Sequence, residues 1–205
     1  MNTTEIKIKG IINSFDDLYK YAMKQFIEYE KIEGIEDWDK YDFSIDCSVD
    51  QMKFKDMLQI RCIEELTEAT HALDNEEHFW EEITDSINFF LSAYCMLGVD
   101  FKKLTDPEKI LMEYVKKQYG INYHNCSILF YQIVDSIGDL CNLLKNRPWA
   151  QSNYLVSMYD FDRRLSHLWI TFWGVMGMLG ITPSKLFELF ERKYEVNKWR
   201  IKTGY

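Results

Sequence analysis

The apolar positions of this chain fall into amphipathic helical segments separated by short breaks. Met1 to Gly10, with its KIKI-like run, reads as a short extended arm. Ser14 opens a helix through about Glu33, with Asp16 and Asp17 in its first turn, where acids suit the helix dipole. Gly34 to Val49 is polar, aromatic and acidic and reads as a loop, either a cover over a site or a plain surface connection. Helices are then predicted from about Asp50 to Leu73 and from about Phe79 to Leu97, with Asp74 to Glu77 as the turn and Gly98 as the stop. Asp106-Pro107 opens another by the cap-then-proline rule, ending near Gly120. Further helices are expected from Ser127 to Asn146, stopped by Arg147-Pro148, and from Asp160 to Leu179. Thr182-Pro183 caps the last, which runs to about Lys202. With only three prolines and nine glycines in 205 residues, the fold class expected is all-α: one helical bundle forming a single domain over residues 1–205.

Within this pattern the stretch RCIEELTEATHALDNEEHFWEEITD, from Arg61 to Asp85, stands out. Glu65 and Glu68 are three apart, as are Glu82 and Asp85, so each pair presents two carboxylates in one direction. At about 100° per residue, Leu58, Cys62, Ala69 and Ala72 cluster on one side of the first helix, with Glu65 inside that cluster and Glu68 at its edge. In the second helix Glu82 and Asp85 lie on the stripe of Phe89, Ala93 and Met96. Buried carboxylates require a positive partner, because desolvating an unpaired charge is expensive. A hard divalent cation, Mg²⁺ or Mn²⁺, suits four oxygen donors. The alternative is two charged faces in solvent. A di-iron centre wants ExxH pairs, and no histidine follows these acids at that spacing.

On the last helix Leu186, Phe190, Lys193, Asn197 and Arg200 fall within about 80° of one another, so an apolar stripe turns polar and basic along its length. Lys193 and Arg200 there suit either phosphate oxygens or the C-terminal end of the helix dipole. His71 and His78 flank the acidic turn and read as surface residues, and His167 as a hydrogen-bonded core residue. Trp80, with Trp38 and Tyr41 of the early loop, are candidates for stacking on a base.

Net charge −9 and the lack of a basic run argue against nucleic-acid binding, while metal ions would bridge the like charges of acidic protein and phosphorylated ligand. The five scattered cysteines lack CxxC spacing and read as reduced thiols rather than a disulfide framework or zinc site. With no signal-like region and no apolar run of bilayer length, the expectation is a cytoplasmic protein without a membrane partner. A faint repeat is also present. Ile63 to Leu73 aligns with Val134 to Leu144, and Met96 to Leu104 with Met178 to Leu186. The second copy loses the acids: Ser136 stands for Glu65, and Arg164 and His167 for Glu82 and Asp85. Duplication of a helix pair, active over about 50–98 and degenerate over about 126–205, or chance likeness of amphipathic helices, both produce such a pattern.

Together these residues resemble the all-α nucleoside triphosphate pyrophosphohydrolases. EELTE…EEITDSINFF is similar to the two-helix metal motif of MazG-like enzymes, dimeric dUTPases and phage dCTPase-dUTPases. The tail KYEVNKWRIKTGY is similar to the closing motif KNxxNxxRxxxGY of the latter two, with Lys193, Asn197, Arg200, Gly204 and Tyr205 in register. Departures fall on the base-facing positions. Tyr194 replaces an asparagine, Asn88 stands where dUTPases carry histidine, Trp80 alone remains of a tryptophan-rich insert, and Gln25 represents the N-terminal glutamine motif. The resemblance implies cleavage of dUTP or dCTP to the monophosphate and pyrophosphate. Glu65, Glu68, Glu82 and Asp85 would hold Mg²⁺, and Glu65 or Glu68 would serve as base. Lys193, Arg200 and Tyr205 would bind phosphate, and Asn88 and Asn197 base or sugar. It also implies a homodimer. A MazG-like house-cleaning pyrophosphatase of broader specificity and a regulatory protein-binding module on the same scaffold are the alternatives.

Overall fold

A computed structural model describes residues 9–147, 149, 151–152 and 154–204, and among them every regular element is helical. Most of the expected N-terminal arm, Pro148 and Tyr205 lie outside the described residues. The first helix, α1 (Phe15–Ile32), starts where predicted because the Ser14 hydroxyl accepts from the Asp17 amide. Ahead of it, the buried Glu191 carboxylate accepts the backbone amides of Lys9, Gly10, Ile11 and Ile12 at 2.6–3.3 Å, which ties the start of the described chain to the last helix.

The segment expected as one helix from Asp50 to Leu73 is helical from Ser48 to His71, in three pieces. These are α2 (Ser48–Lys55), a π-helical stretch (Asp56–Cys62) and α3 (Ile63–His71). Next comes α4 (Glu76–Met96), which begins a turn earlier than predicted because the Asn75 side chain caps the His78 amide. The fifth helix, α5 (Pro107–Tyr114), opens at the predicted cap but gives way to a 3₁₀ turn over Val115–Lys117, well before Gly120. Then follow α6 (Tyr123–Cys141), which starts four residues and ends five residues earlier than expected, α7 (Met158–Met178) and α8 (Pro183–Thr203).

The helices pair as two hairpins, α3 on α4 and α6 on α7. α4 also packs on α1 and α8, and α7 on α5. α4 and α7 end alike. Each stops before a left-handed glycine, Gly98 (φ 62°) or Gly180 (φ 89°), and the next amide closes back five residues, Val99 to Tyr94 and Ile181 to Met176. The two hairpins meet through an aromatic layer in which Phe90 of α4 stacks on Phe172 of α7, centroids 3.7 Å apart. α5 approaches α7 closely because Gly177 has no side chain; a Cβ there would stand 2.9 Å from the Leu111 carbonyl oxygen.

The early loop carries a 3₁₀ turn, Trp38–Lys40. Trp38 packs edge-on against Phe26 of α1 and stacks on Tyr41, whose hydroxyl donates to Asp50 at 2.7 Å. These two half-buried aromatics therefore brace α1 and α2. Cys62, Cys95, Cys126 and Cys141 are buried free thiols, and Cys47 is an exposed one. Among the described residues no single helix is long and apolar enough to cross a membrane.

Candidate metal and ligand site

Three of the four expected acids come together. Carboxylate oxygens of Glu65 (α3), Glu82 and Asp85 (α4) lie within 4.8 Å of one another. The helix phase explains this. Glu82 and Asp85 sit on the face of α4 turned to α3, and Glu65 flanks the buried line of Cys62, Leu66 and Ala69. Two oxygens on opposite sides of a Mg²⁺ ion are about 4.2 Å apart, and on Ca²⁺ about 4.8 Å. The three donors lie near the reach of one such cation, which would draw them closer, since only one pair of the three can sit on opposite sides of it.

Glu68 does not join them; it is exposed. At 100° per residue it lies roughly 130° from the centre of the buried line of α3, beyond the edge assigned to it from sequence. The π-helical stretch before it, with its i→i+5 turns, breaks the uniform phase on which that assignment rested.

The electrostatics are those of crowded acids. Burial, a hydrogen bond with Glu82 and the charges of Asp85, Glu82 and Glu68 push the Glu65 carboxyl up to about 8. Burial also raises the Asp85 carboxyl, against the pull of Lys193 and Arg200. Lys193 of α8 forms an ion pair with Asp85, and both side chains are largely buried. Part of the positive charge demanded by these acids is thus a lysine from a distant helix. His78 contacts Glu82, Nε2 to Oε1 at 2.6 Å, one turn away on α4. It is half-exposed as expected, but it orients a cluster acid, and its i,i+4 spacing to Glu82 was the available signal.

Beside the cluster lies a cavity of about 290 Å³. Glu65 and Asp85 form part of its wall, and Gln25, Asn88, Lys193, Asn197 and Arg200 another part. Five residues separated by as much as 175 positions in the chain, and expected to bind a ligand, are therefore gathered in one chamber with two of the acids. Gln25 (7 % exposed) and Asn88 (8 % exposed) are joined by a long hydrogen bond, Gln25 Nε2 donating to Asn88 Oδ1 at 3.4 Å. The other end of each amide, Gln25 Oε1 and Asn88 Nδ2, is buried without a partner. Tyr29 and Arg61 also line the cavity, and sequence reasoning missed both. Arg61 sits in the π-helical stretch, pairs with Asp56 and lies over the Phe89 ring, a placement no helical wheel encodes.

Trp80 is elsewhere. It is buried in a separate groove of about 750 Å³ between α4 and α8, with the Lys185 ammonium 3.4 Å from its ring centroid and its Nε1 donating to Glu76. The groove is larger than the chamber. Its walls carry Lys185 on the Trp80 ring, Arg192 paired with Glu188, and Lys193, which it shares with the chamber; the two unpartnered amides belong to residues of the chamber. Tyr205 lies outside the described residues.

The site is thus a cluster of three acids beside a polar, partly cationic chamber. No family model, no curated protein and no solved structure matches the chain.

Proposed function

We propose that the protein is a Mg²⁺-dependent deoxynucleoside triphosphate pyrophosphohydrolase that converts dUTP, dCTP or both to the monophosphate and pyrophosphate. One observation carries the reading: two acids of the Glu65–Glu82–Asp85 cluster, Glu65 and Asp85, line a chamber together with buried amides and with Lys193 and Arg200. Acids suit the metal, cations the phosphates and amides the base.

Glu65, Glu82 and Asp85 would hold Mg²⁺, with Mn²⁺ as a substitute, and Glu68 would complete the set by turning inward. The bound ion would neutralise the triphosphate and acidify a water. Glu65 or Glu68 would orient or deprotonate that water. Lys193 moves from Asp85 to the departing phosphates, and Arg200 steadies them. His78 keeps Glu82 turned inward. The water oxygen bonds to the α-phosphorus, the α–β bridging bond breaks, and pyrophosphate leaves.

The second hairpin supports a duplication with one degenerate half. Asp139 and Arg164, aligned with Glu68 and Glu82, form an ion pair there. On that reading a covalently attached cation would stand where the first hairpin would hold a metal. The homodimer implied by the resemblance is also proposed, with exposed Tyr123, Tyr131, Leu155 and Tyr159 as apolar surface for a second copy.

The test is incubation with each deoxynucleoside triphosphate and Mg²⁺, with the products identified. Monophosphate and pyrophosphate are expected from the pyrimidine substrates. Orthophosphate, or no turnover of any triphosphate, overturns the proposal. Turnover of purine and pyrimidine substrates alike would favour the MazG-like alternative.

A further inference from the structure

A groove on the second hairpin carries a further inference, which does not rest on the hydrolase reading. It has a volume of about 540 Å³ and shares no lining residue with the chamber. Lys55 at the end of α2, Gln59 of the π-helical stretch, one face of α6 and Arg147 form its walls. Met57 and Arg61 of the same π-helical stretch line the chamber, so one segment contributes to both cavities.

Two cations converge in this groove. The Lys55 ammonium and Arg147 Nη1 both donate to one oxygen, the Leu144 carbonyl. A common acceptor holds the two nitrogens within about 6 Å of each other. Both side chains are half-buried, and among the described residues neither forms an ion pair with a carboxylate. The nearby acids do not supply the missing charge: Asp139 pairs with Arg164, and Asp135 is exposed. Two donors satisfy a carbonyl oxygen, but its partial charge does not balance two full positive charges. Burial first, and then the Arg147 charge, accordingly hold the Lys55 amine below its ordinary value. Donors are also left over. Arg147 Nη1 gives to the Leu144 and Asn146 carbonyls at 2.8 and 2.9 Å, which leaves Nη2 and Nε, and Lys55 keeps two of its three N–H groups.

We propose that this groove binds a phosphate group, free or as a small phosphomonoester, on Lys55 and Arg147. A dianion matches two positive charges, and the planar guanidinium takes two oxygens at once. Gln59 and Asn142, exposed on the groove wall, add neutral donors. Asp135 lies about two turns back along α6 from Asn142 and opposes an anion that extends in that direction, so the groove selects a compact one. Gly138 keeps the α6 wall open, since a Cβ there meets nothing within 4 Å.

The experiment is titration calorimetry with inorganic phosphate in EDTA at low salt. The native protein should bind it with a Kd at or below ~1 mM. Arg147→Gln should weaken binding by about tenfold or more. Should that variant not fold, Gly138 supplies a second pair. Glutamate and glutamine are both better helix formers than glycine, and both have room at this position, so Gly138→Glu and Gly138→Gln should fold. Gly138→Glu sets a negative charge in the groove and should weaken phosphate about tenfold or more, whereas Gly138→Gln should change it by less than about threefold. Phosphate held in the chamber by Lys193 and Arg200 instead would not respond to Gly138→Glu, and that result would overturn the proposal. No binding to the native protein up to ~10 mM phosphate would do the same. Glycerol 3-phosphate separates the two sources of the anion. Affinity within about threefold of phosphate assigns the groove to a phosphomonoester, and binding at least about tenfold weaker assigns it to free phosphate; both uphold the site. Turnover of a triphosphate enters none of these readouts, so the groove and the hydrolase stand or fall separately.

Discussion

Replacing Glu65 by glutamine isolates the energetics of the acidic cluster. In the absence of metal, the native protein holds this carboxyl at about 8, against 4.5 for an unconstrained glutamate. The folded state therefore binds a proton that the unfolded chain has released. The contribution of Glu65 to stability is intact below about pH 4.5 and is lost as pH rises towards about 8. At 1.36 kcal/mol per pH unit the full loss by pH 8 is ~5 kcal/mol. Because Glu65 is half-buried and screened by water, we take less than half of it, ~2 kcal/mol. Glutamine keeps the shape and still donates to Glu82, yet cannot ionise. In EDTA at pH 8, Glu65→Gln should therefore melt above the native protein by ~4–8 °C, at ~2–4 °C per kcal/mol for a chain of this size. At pH 5 the gap should shrink to within ~1 °C. With saturating Mg²⁺ at pH 8 the order should reverse, since only the native cluster gains from the ion; occupancy at 100 times Kd is worth ~2.7 kcal/mol. The assay is a thermal melt across pH, with and without Mg²⁺. A gap independent of pH, or a native protein more stable than the variant at pH 8 in EDTA, would refute the reasoning.

Other expected outcomes follow from the same geometry. Lys193→Met strands a mostly buried Asp85, so in EDTA it should cost ~3 kcal/mol in denaturant unfolding, and Mg²⁺ should restore much of the loss by replacing the missing charge. Gly177→Ala forces a Cβ against the Leu111 carbonyl; ~1–3 kcal/mol of stability should go while the Mg²⁺-dependent rise in melting temperature is retained. Glu191→Gln turns an amide N–H₂ towards backbone donors, and hydrogen exchange at Gly10 to Ile12 should quicken as ~1–3 kcal/mol of protection is lost.

The helix positions were legible because their signals are local. Ser14, Asp106-Pro107 and Thr182-Pro183 cap helices through contacts within three residues, and Gly98 and Gly180 stop them by admitting a left-handed backbone. Glu65, Glu82 and Asp85 were legible for a related reason: phase along one helix tells which carboxylates share a side with apolar residues. Glu68 failed the same test, because a small error in phase becomes the difference between wall and solvent at the edge of a stripe. The end of α5 was missed because nothing in Val115 to Lys117 breaks a helix locally; the chain tightens there where it packs against α7.

What the sequence determined by itself was the all-helical class and the presence of inward-facing acids, since both follow from periodicity and capping. Tertiary packing decided which side chains meet. It set Lys193 on Asp85, and it drew Trp80 under Lys185 and away from the chamber. It also left Gln25 and Asn88 facing each other across α1 and α4 with one polar atom apiece unsatisfied. These pairings join residues far apart in the chain, and their free energies depend on burial and on the few ångströms between partners, quantities that come into being only when the helices pack.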